Sequence, residues 1–169
     1  ATIDFAKQFK GHGWVGISYQ IEPDEDYNEI ILHIRFKETD VRLQQETLGI
    51  LGVNLIYGAF YKYNDPKRLL RYLYDHLDKD QLEIDTINFS GPRFADVDNR
   101  LMSLQLVKNG MTDAVMFNPD GKNILPAAIL YKKNILAFRG SFRPVTKVNM
   151  DMYEKSLKMF LKENKVEKE

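Results

Sequence analysis

The sequence predicts an α/β fold with three layers built around a mixed sheet of about five strands. The main observation is a pattern that occurs three times in the second half of the chain. A short apolar run ends in phenylalanine, continues into a turn of glycine, proline or polar residues, and leads into a helix-like segment. The three runs end at Phe89, Phe117 and Phe138. Repeated β-turn-α segments favour right-handed crossovers and therefore predict a parallel β-α-β-α-β core.

A second observation is the alternation of apolar with small or polar residues near the N-terminus. It covers residues 15–21 and again residues 30–36, and the polar segment 22–28 links the two. A period of two is typical of half-buried strands. We therefore predict an N-terminal antiparallel hairpin that extends or flanks the sheet.

The remaining elements follow from apolar spacing and from capping residues. Asp65 is suited to cap a helix whose first turn contains Pro66. Three glycines interrupt an otherwise apolar segment that we interpret as a buried helix. The predicted helices cover residues 2–10, 40–61, 65–77, 97–107, 125–131 and 150–161. The predicted core strands cover residues 82–89, 113–117 and 135–138.

Size and composition indicate one ordinary globular domain. The chain has 169 residues, of which 44% are hydrophobic, enough to bury a core. We predict a single α/β domain over residues 1–161, and a charged tail over residues 162–169 that frays. Because the chain does not begin with methionine, it is also consistent with a processed chain or an excised domain.

Charge and cysteine content exclude several classes of function. The formal net charge is zero, so no global field favours nucleic acid or an anionic membrane. The chain has no cysteine, which excludes disulfides and thiolate metal sites and is compatible with the cytosol. No apolar run has the length of a membrane-spanning helix, and the N-terminus lacks a signal-peptide pattern. We therefore expect a cytoplasmic protein that binds neither membrane nor nucleic acid.

The third turn carries the residues best suited to hold an anion. Arg139, Ser141 and Arg143 follow the last predicted strand and precede the last helix. Backbone N–H groups around Gly140 and the helix dipole favour an anion there, and guanidinium groups bind phosphate or carboxylate with paired hydrogen bonds. Arg93, in the first turn, would join them if the two strands are neighbours. The alternative is that these arginines pair with acidic residues or reach solvent.

Other polar residues have structural explanations in the sequence. Asn118-Pro119-Asp120-Gly121 is typical of a type I turn. Asp96 and Asp98 are suited to start a helix. The three histidines are His12, His33 and His76, and none has a partner at metal-ligand spacing. The sequence therefore predicts no metal site, and it identifies no catalytic residue and no cofactor.

An aromatic cluster suggests an interface. Tyr57, Phe60 and Tyr61 lie close together near the end of the glycine-containing helix, and Tyr63 follows. We interpret them as a core cluster or as an interface with a second copy or a partner domain. The alternative is a platform on which bases stack.

Residues 140–146, Gly-Ser-Phe-Arg-Pro-Val-Thr, resemble the first signature of the nucleotidylyltransferase family, which includes nicotinate- and nicotinamide-nucleotide adenylyltransferases. That signature reads G-x-F-x-P-x-[HT]-x-x-H. The resemblance implies a Rossmann strand at Ile135–Phe138 and a turn that cradles ATP phosphates. Asn149 stands where the family has its final histidine, and too few residues follow for the second signature.

A wider similarity covers most of the chain. Residues 48–58 and 138–146 are similar to a group of longer bacterial proteins that often carry automatic names such as nicotinate-nucleotide adenylyltransferase or TonB-dependent receptor. The similarity implies that this chain is part of a larger bacterial protein.

Three hypotheses of function follow. The first is a nucleotide- or phosphate-binding domain of a larger cytoplasmic protein, catalytically incomplete by itself. The second is a non-enzymatic module for dimerisation or docking. The third is a divergent nucleotidylyltransferase that transfers an adenylyl group to nicotinate or nicotinamide mononucleotide.

Overall fold

The computed structural model describes residues 10–164. Contacts divide the chain into two compact units, Ala1–Leu125 and Pro126–Glu169, which we call the N-terminal unit and the C-terminal unit. Apart from its last residue, the helix predicted over residues 2–10 lies outside the described residues.

A three-stranded antiparallel sheet lies at the centre of the N-terminal unit. Its strands, in spatial order, are β1 (His12–Tyr19), β2 (Asn28–Phe36) and β3 (Leu82–Ser90). β1 and β2 form the predicted hairpin, so that part of the prediction is confirmed. β3 then pairs with the free side of β2, again antiparallel.

Two helices connect β2 to β3, and a third follows β3. They are α1 (Val41–Tyr61), α2 (Pro66–Tyr72) and α3 (Asn99–Lys108), and a short 3-10 helix (Pro92–Phe94) precedes α3. A small antiparallel hairpin, β4 (Met116–Phe117) and β5 (Asn123–Ile124), follows them.

Each of the three helices begins directly after an aspartate. Asp40, Asp65 and Asp98 accept hydrogen bonds from backbone N–H groups in the first turn of α1, α2 and α3, respectively. These groups have no partner inside the helix, so the side chains satisfy donors that would otherwise be unpaired. The predicted cap at Asp65 is confirmed.

The core lies between one face of the sheet and the helices. Alternate residues of β2 and β3 point toward it, because successive side chains of a strand point to opposite faces. The helices contribute leucines from all three elements. The largest fully buried hydrophobic side chains are Ile30, Leu32, Ile34, Leu51, Leu69, Leu70, Leu73, Leu82, Ile84, Ile87 and Leu106. Helices on one face of an antiparallel sheet make an α+β arrangement of two layers.

The C-terminal unit contains α4 (Pro126–Leu130) and α5 (Lys147–Asn164). α5 includes the first residues of the predicted tail, and residues 165–169 lie outside the described part. α5 starts with a capping box: Thr146 N donates to Asn149 Oδ1 (2.8 Å), and Asn149 N donates to Thr146 Oγ1 (3.3 Å). Thr146 and Asn149, which stand at the last two defined positions of the adenylyltransferase signature, therefore begin a helix.

The predicted fold class is wrong. Among the described residues there is no parallel core and no five-stranded sheet, but an antiparallel sheet of three strands and one of two. The strand predicted at 113–117 is reduced to β4, which pairs with β5 across the turn Asn118–Gly121 instead of leading into a helix. Residues 135–138 form no strand.

The outer edge of β3 explains why, within residues 10–164, no further strand extends the larger sheet. The Asn99 side chain accepts from Phe89 N (2.8 Å) and donates to Phe89 O (3.0 Å). Asn123 Nδ2 donates to Ile87 O (3.2 Å), and Ile84 N donates to Met111 O (3.2 Å). Backbone groups that a neighbouring strand would need are therefore already satisfied.

Candidate functional site

A β-bulge in β3 places two buried titratable side chains together. His33 pairs with Thr86 and Ile34 pairs with Ile84, which leaves Asp85 as an extra residue in β3. A bulge re-aims the side chain of the extra residue. Asp85 Oδ1 lies 2.8 Å from Nδ1 of His33, and the two residues are only 8% and 2% exposed.

The Asp85 carboxylate determines which nitrogens carry hydrogen. An ionised carboxylate only accepts, so Nδ1 of a neutral His33 donates and its Nε2 is left as an acceptor. Nδ1 of His12 lies 3.3 Å from that Nε2 and therefore donates to it. Nε2 of His12 keeps its lone pair. This Asp85–His33–His12 chain leads from a buried carboxylate to an exposed imidazole.

Trp14 stands beside this chain on the same face of the sheet. Trp14 comes two residues after His12 in β1, so both point to the same face, and it lies opposite His33 of β2. The indole contacts the His33 ring edge-on, with 5.0 Å between centroids. Trp14 nevertheless remains 56% exposed, so it covers His33 and still offers a ring face to solvent.

A groove of about 660 Å³ opens next to Trp14. The sheet contributes Thr86 and Asn88, and the first turn of α3 and the β4–β5 turn form the other wall. We call it the polar groove; its main side chains are Trp14, Thr86, Asn88, Arg100, Lys122 and Asn123.

Two cations, Arg100 and Lys122, and two carboxylates, Asp98 and Asp120, line the polar groove. Asp98 is committed to the α3 cap, and the hydrogen bond from Arg100 lowers the pKa of its carboxyl group. The Arg100 guanidinium is 3.4 Å from Asp98 and its side chain is 60% exposed, so it is only loosely held. Lys122 is exposed. Both cations can turn toward a ligand.

Asn123 adds an acceptor to the same wall. Its Nδ2 is fixed by the carbonyl oxygens of Ile87 and Asn99, at 3.2 Å each. Its Oδ1 is shielded from solvent and has no hydrogen-bond partner within residues 10–164. A buried oxygen without a donor is costly, which favours a ligand that brings one.

Arg93, a predicted anion ligand, already contacts two carboxylates. Its Nε donates to Glu25 (2.7 Å), and its Nη2 donates to Glu22 (3.1 Å). Its guanidinium also lies 5.7 Å from the Tyr63 ring centroid. An anion at Arg93 would have to displace Glu25. The alternative interpretation, in which turn arginines pair with acidic residues, describes Arg93 as it is observed.

The other predicted anion ligands belong to the C-terminal unit. Arg139, Gly140, Ser141 and Arg143 are all exposed, in the segment that precedes α5. Arg93 belongs to the N-terminal unit, so the predicted set is divided between the two units. An anion site at the Arg139–Arg143 turn stays a prediction.

The predicted interface residues lie on the outer side of α1. Tyr57, Phe60 and Tyr61 are exposed, and the rings of Tyr57 and Tyr61 stack with 4.7 Å between centroids. Tyr57 also contacts Tyr72 of α2, and Phe60 contacts Tyr19 of β1. The cluster is thus partly exposed, and its role as an interface stays a prediction.

Sequence reasoning missed Trp14 and the Asp85–His33–His12 chain. The sequence did contain a signal for the histidines and Trp14. His12 and Trp14 share a strand face, and the hairpin places His33 opposite Trp14. Asp85 gave no signal, because it is 52 residues from His33 and reaches it through a bulge.

These features define an α+β unit with a polar groove beside a buried histidine–aspartate pair. No family model matches the chain, and neither a curated protein nor a solved structure matches it significantly. Among the described residues, no three histidine, aspartate or glutamate side chains are arranged to hold a metal ion. In the same part of the chain, every helix is too short or too polar to cross a membrane.

Proposed function

We propose that the N-terminal unit binds a nucleotide or a similar phosphate-bearing small molecule in the polar groove, as part of a larger cytoplasmic protein. The observation that carries this proposal is the exposed ring of Trp14 in a groove that also contains Arg100 and Lys122. An aromatic face for a planar base and two cations for phosphate are the complementary halves of a nucleotide site.

Each end of such a ligand has a partner in the groove. A base stacks on the indole of Trp14, and an N–H or ribose hydroxyl group donates to Asn123 Oδ1. The phosphate reaches Arg100, whose hold on Asp98 is weak at 3.4 Å, and Lys122. Since Asp98 is occupied by the α3 cap, it repels the phosphate less than a free carboxylate would.

Trp14 makes the test direct because it is the only tryptophan of the chain. We expect adenosine and AMP to quench its fluorescence, with AMP binding more tightly. Arg100→Ala and Lys122→Ala should each weaken AMP about tenfold and change adenosine little, because a hydrogen bond to a charged group contributes roughly 1.5–3 kcal/mol. Lys67→Ala, an exposed lysine on α2, is the matched control.

A thermal-shift measurement tests the Trp14 variants, which lack the fluorescent reporter. A ligand that binds the folded state raises the melting temperature. Trp14→Ala should abolish the shift that AMP produces, and Trp14→Phe should keep part of it. Absence of both quenching and shift at millimolar AMP contradicts the proposal. If AMP affinity falls only in the double variant Arg139→Ala plus Arg143→Ala, the binding site lies in the C-terminal unit instead.

A further inference from the structure

The outer face of α1 has an unusual composition for a surface. Between Glu46 and Lys62 the helix carries no charged residue. Its inner side is buried against the sheet, but Val53, Ile56 and Phe60 on the outer side are 66%, 54% and 43% exposed. Helices that are apolar all round are normally covered on both sides.

The side chains on this face increase in size from the N-terminal to the C-terminal end of the helix. At its N-terminal end, a Cβ placed on Gly49 or Gly52 would have open space, with no atom of residues 10–164 within 4 Å. A predominantly apolar groove of about 660 Å³ lies there, lined by Glu46, Gly49, Ile50, Val53, Asn54 and His76. At the C-terminal end stand the rings of Tyr57 and Phe60. One end is therefore hollow and the other bulky.

We propose that this face binds a second copy of the chain, with the two α1 helices antiparallel and the two-fold axis near Val53. The outer residues Glu46, Gly49, Val53, Ile56 and Phe60 recur at three- and four-residue spacing, which is the pattern of a helix–helix seam. In an antiparallel pair, the bulky end of each helix lies over the glycine end of the other. Each aromatic end then fills the apolar groove of its neighbour.

Charge favours the same register. With the axis near Val53, Glu46 of one copy lies opposite Lys62 of the other. The Lys62 ammonium already reaches back over the Tyr57 ring, 5.5 Å from its centroid, and so lies beside the seam. Within a single chain, Glu46 and Lys62 are separated by about 24 Å of helix, so they cannot pair there.

The first test is the molar mass in solution, measured by light scattering and sedimentation over a range of concentrations. We expect a dimer for the unaltered chain and a monomer for Val53→Glu. Leu101→Glu, an exposed apolar position on α3, is the matched control and should stay dimeric. A monomer at about 100 μM, or a Val53→Glu chain that still dimerises, overturns the proposal.

The second test examines the register by exchanging charges. Glu46→Lys and Lys62→Glu should each raise the dimer dissociation constant about three- to tenfold, since a pair at the rim of an interface contributes little. The double exchange should restore the original value. Because the two positions are far apart within one chain, rescue can arise only between copies. If the effects of the two single exchanges on the dissociation constant simply add in the double variant, the antiparallel register is contradicted.

The third test uses the absence of cysteine in this chain. A cysteine introduced at the two-fold axis meets its own copy, so Val53→Cys should form a disulfide-linked dimer under mild oxidation. Leu101→Cys is the exposed control and should react at least about tenfold more slowly, because a disulfide needs two Cα atoms within about 7 Å. Equal rates at the two positions would place the interface elsewhere.

Discussion

The histidine–aspartate pair shows how one buried carboxylate can determine the chemistry of two imidazoles. Asp85 is almost fully buried, yet the hydroxyl of Thr86 and the ring of His33 both donate to it. A buried charge is tolerated when it is hydrogen-bonded in this way. In the neutral form of His12, hydrogen on Nδ1 leaves the lone pair on Nε2, so that nitrogen can act as a base.

The protonated nitrogen can be measured directly. We expect long-range ¹⁵N–¹H spectra of the neutral protein to show hydrogen on Nδ1 of both His12 and His33. Free imidazole prefers hydrogen on Nε2, so His76, which has no hydrogen-bond partner within the described residues, is the internal control. Asp85→Leu should return His12 to that preference. Hydrogen on Nε2 of His12 in the unaltered chain would contradict the assignment.

Arg93 has a structural role at the residue scale that predicts acid sensitivity. Its hydrogen bonds to Glu25 lower the pKa of that carboxyl group below its usual value of 4.5. Because the folded-state pKa lies below the unfolded one, the pair stabilises the fold above the unfolded-state value. That stabilisation is lost as the pH falls through the folded-state pKa.

The measurement is the melting temperature between about pH 7 and pH 3 for the unaltered chain and for Glu25→Gln. We expect Glu25→Gln to melt lower at neutral pH and the two curves to converge in acid. Asp26→Asn is the neighbouring control, since Asp26 forms no ion pair among the described residues. A difference between the two curves that does not depend on pH would argue against the Arg93–Glu25 contact.

At the scale of elements, the edge of β3 is closed by side chains instead of by another strand. Asn99 satisfies both backbone groups of Phe89, and Asn123 satisfies the carbonyl group of Ile87. Both asparagines also line the polar groove. The residues that end the sheet therefore form the wall of the candidate site.

Asn99→Ala tests this closure. It leaves the N–H and C=O groups of Phe89 without their protein partner, and we expect a loss of about 1–3 kcal/mol in the free energy of unfolding. Arg100→Ala, at the next position of α3, removes an exposed side chain and should change that free energy by less than about 0.5 kcal/mol. Urea unfolding followed by circular dichroism measures both. Equal losses would mean that the Asn99 contacts contribute nothing.

At the scale of the whole molecule, the core belongs to one unit. Every buried hydrophobic residue of the main cluster, among the residues described, lies between Tyr19 and Met111. The N-terminal unit ends at Leu125. None of the described residues of the C-terminal unit belongs to that cluster. Folding stability is therefore expected to reside in the N-terminal unit.

A chain that ends at Leu125 should fold by itself. We expect a single cooperative urea transition, with a midpoint close to that of the same unit in the full chain, because the buried apolar surface is the same. Tryptophan fluorescence reports it, since Trp14 lies in this unit. A broad, non-cooperative transition would show that residues after Leu125 are needed for the fold.

Local elements were largely predictable from the sequence. Alternation identified the β1–β2 hairpin, and apolar spacing with an aspartate cap identified α2. The Asn118–Gly121 turn was also predicted, and its closing hydrogen bond is present at 2.9 Å. These features depend on neighbours in the chain, so the local pattern contains the information. The capping role of Asp98 was predictable for the same reason, because a cap bonds to backbone groups of its own helical turn.

Only the tertiary structure decided how the strands combine and which residues meet. The sequence pattern of β3 does not distinguish parallel from antiparallel pairing; in the structure β3 pairs antiparallel with β2, and the Asn99 side chain occupies its outer edge. The meeting of Asp85 with His33 depends on a one-residue bulge, which no periodicity reveals. The sequence by itself therefore determined the segments and their caps. Strand order, the bulge and the polar groove arise from contacts between distant residues, which the folded chain alone brings together.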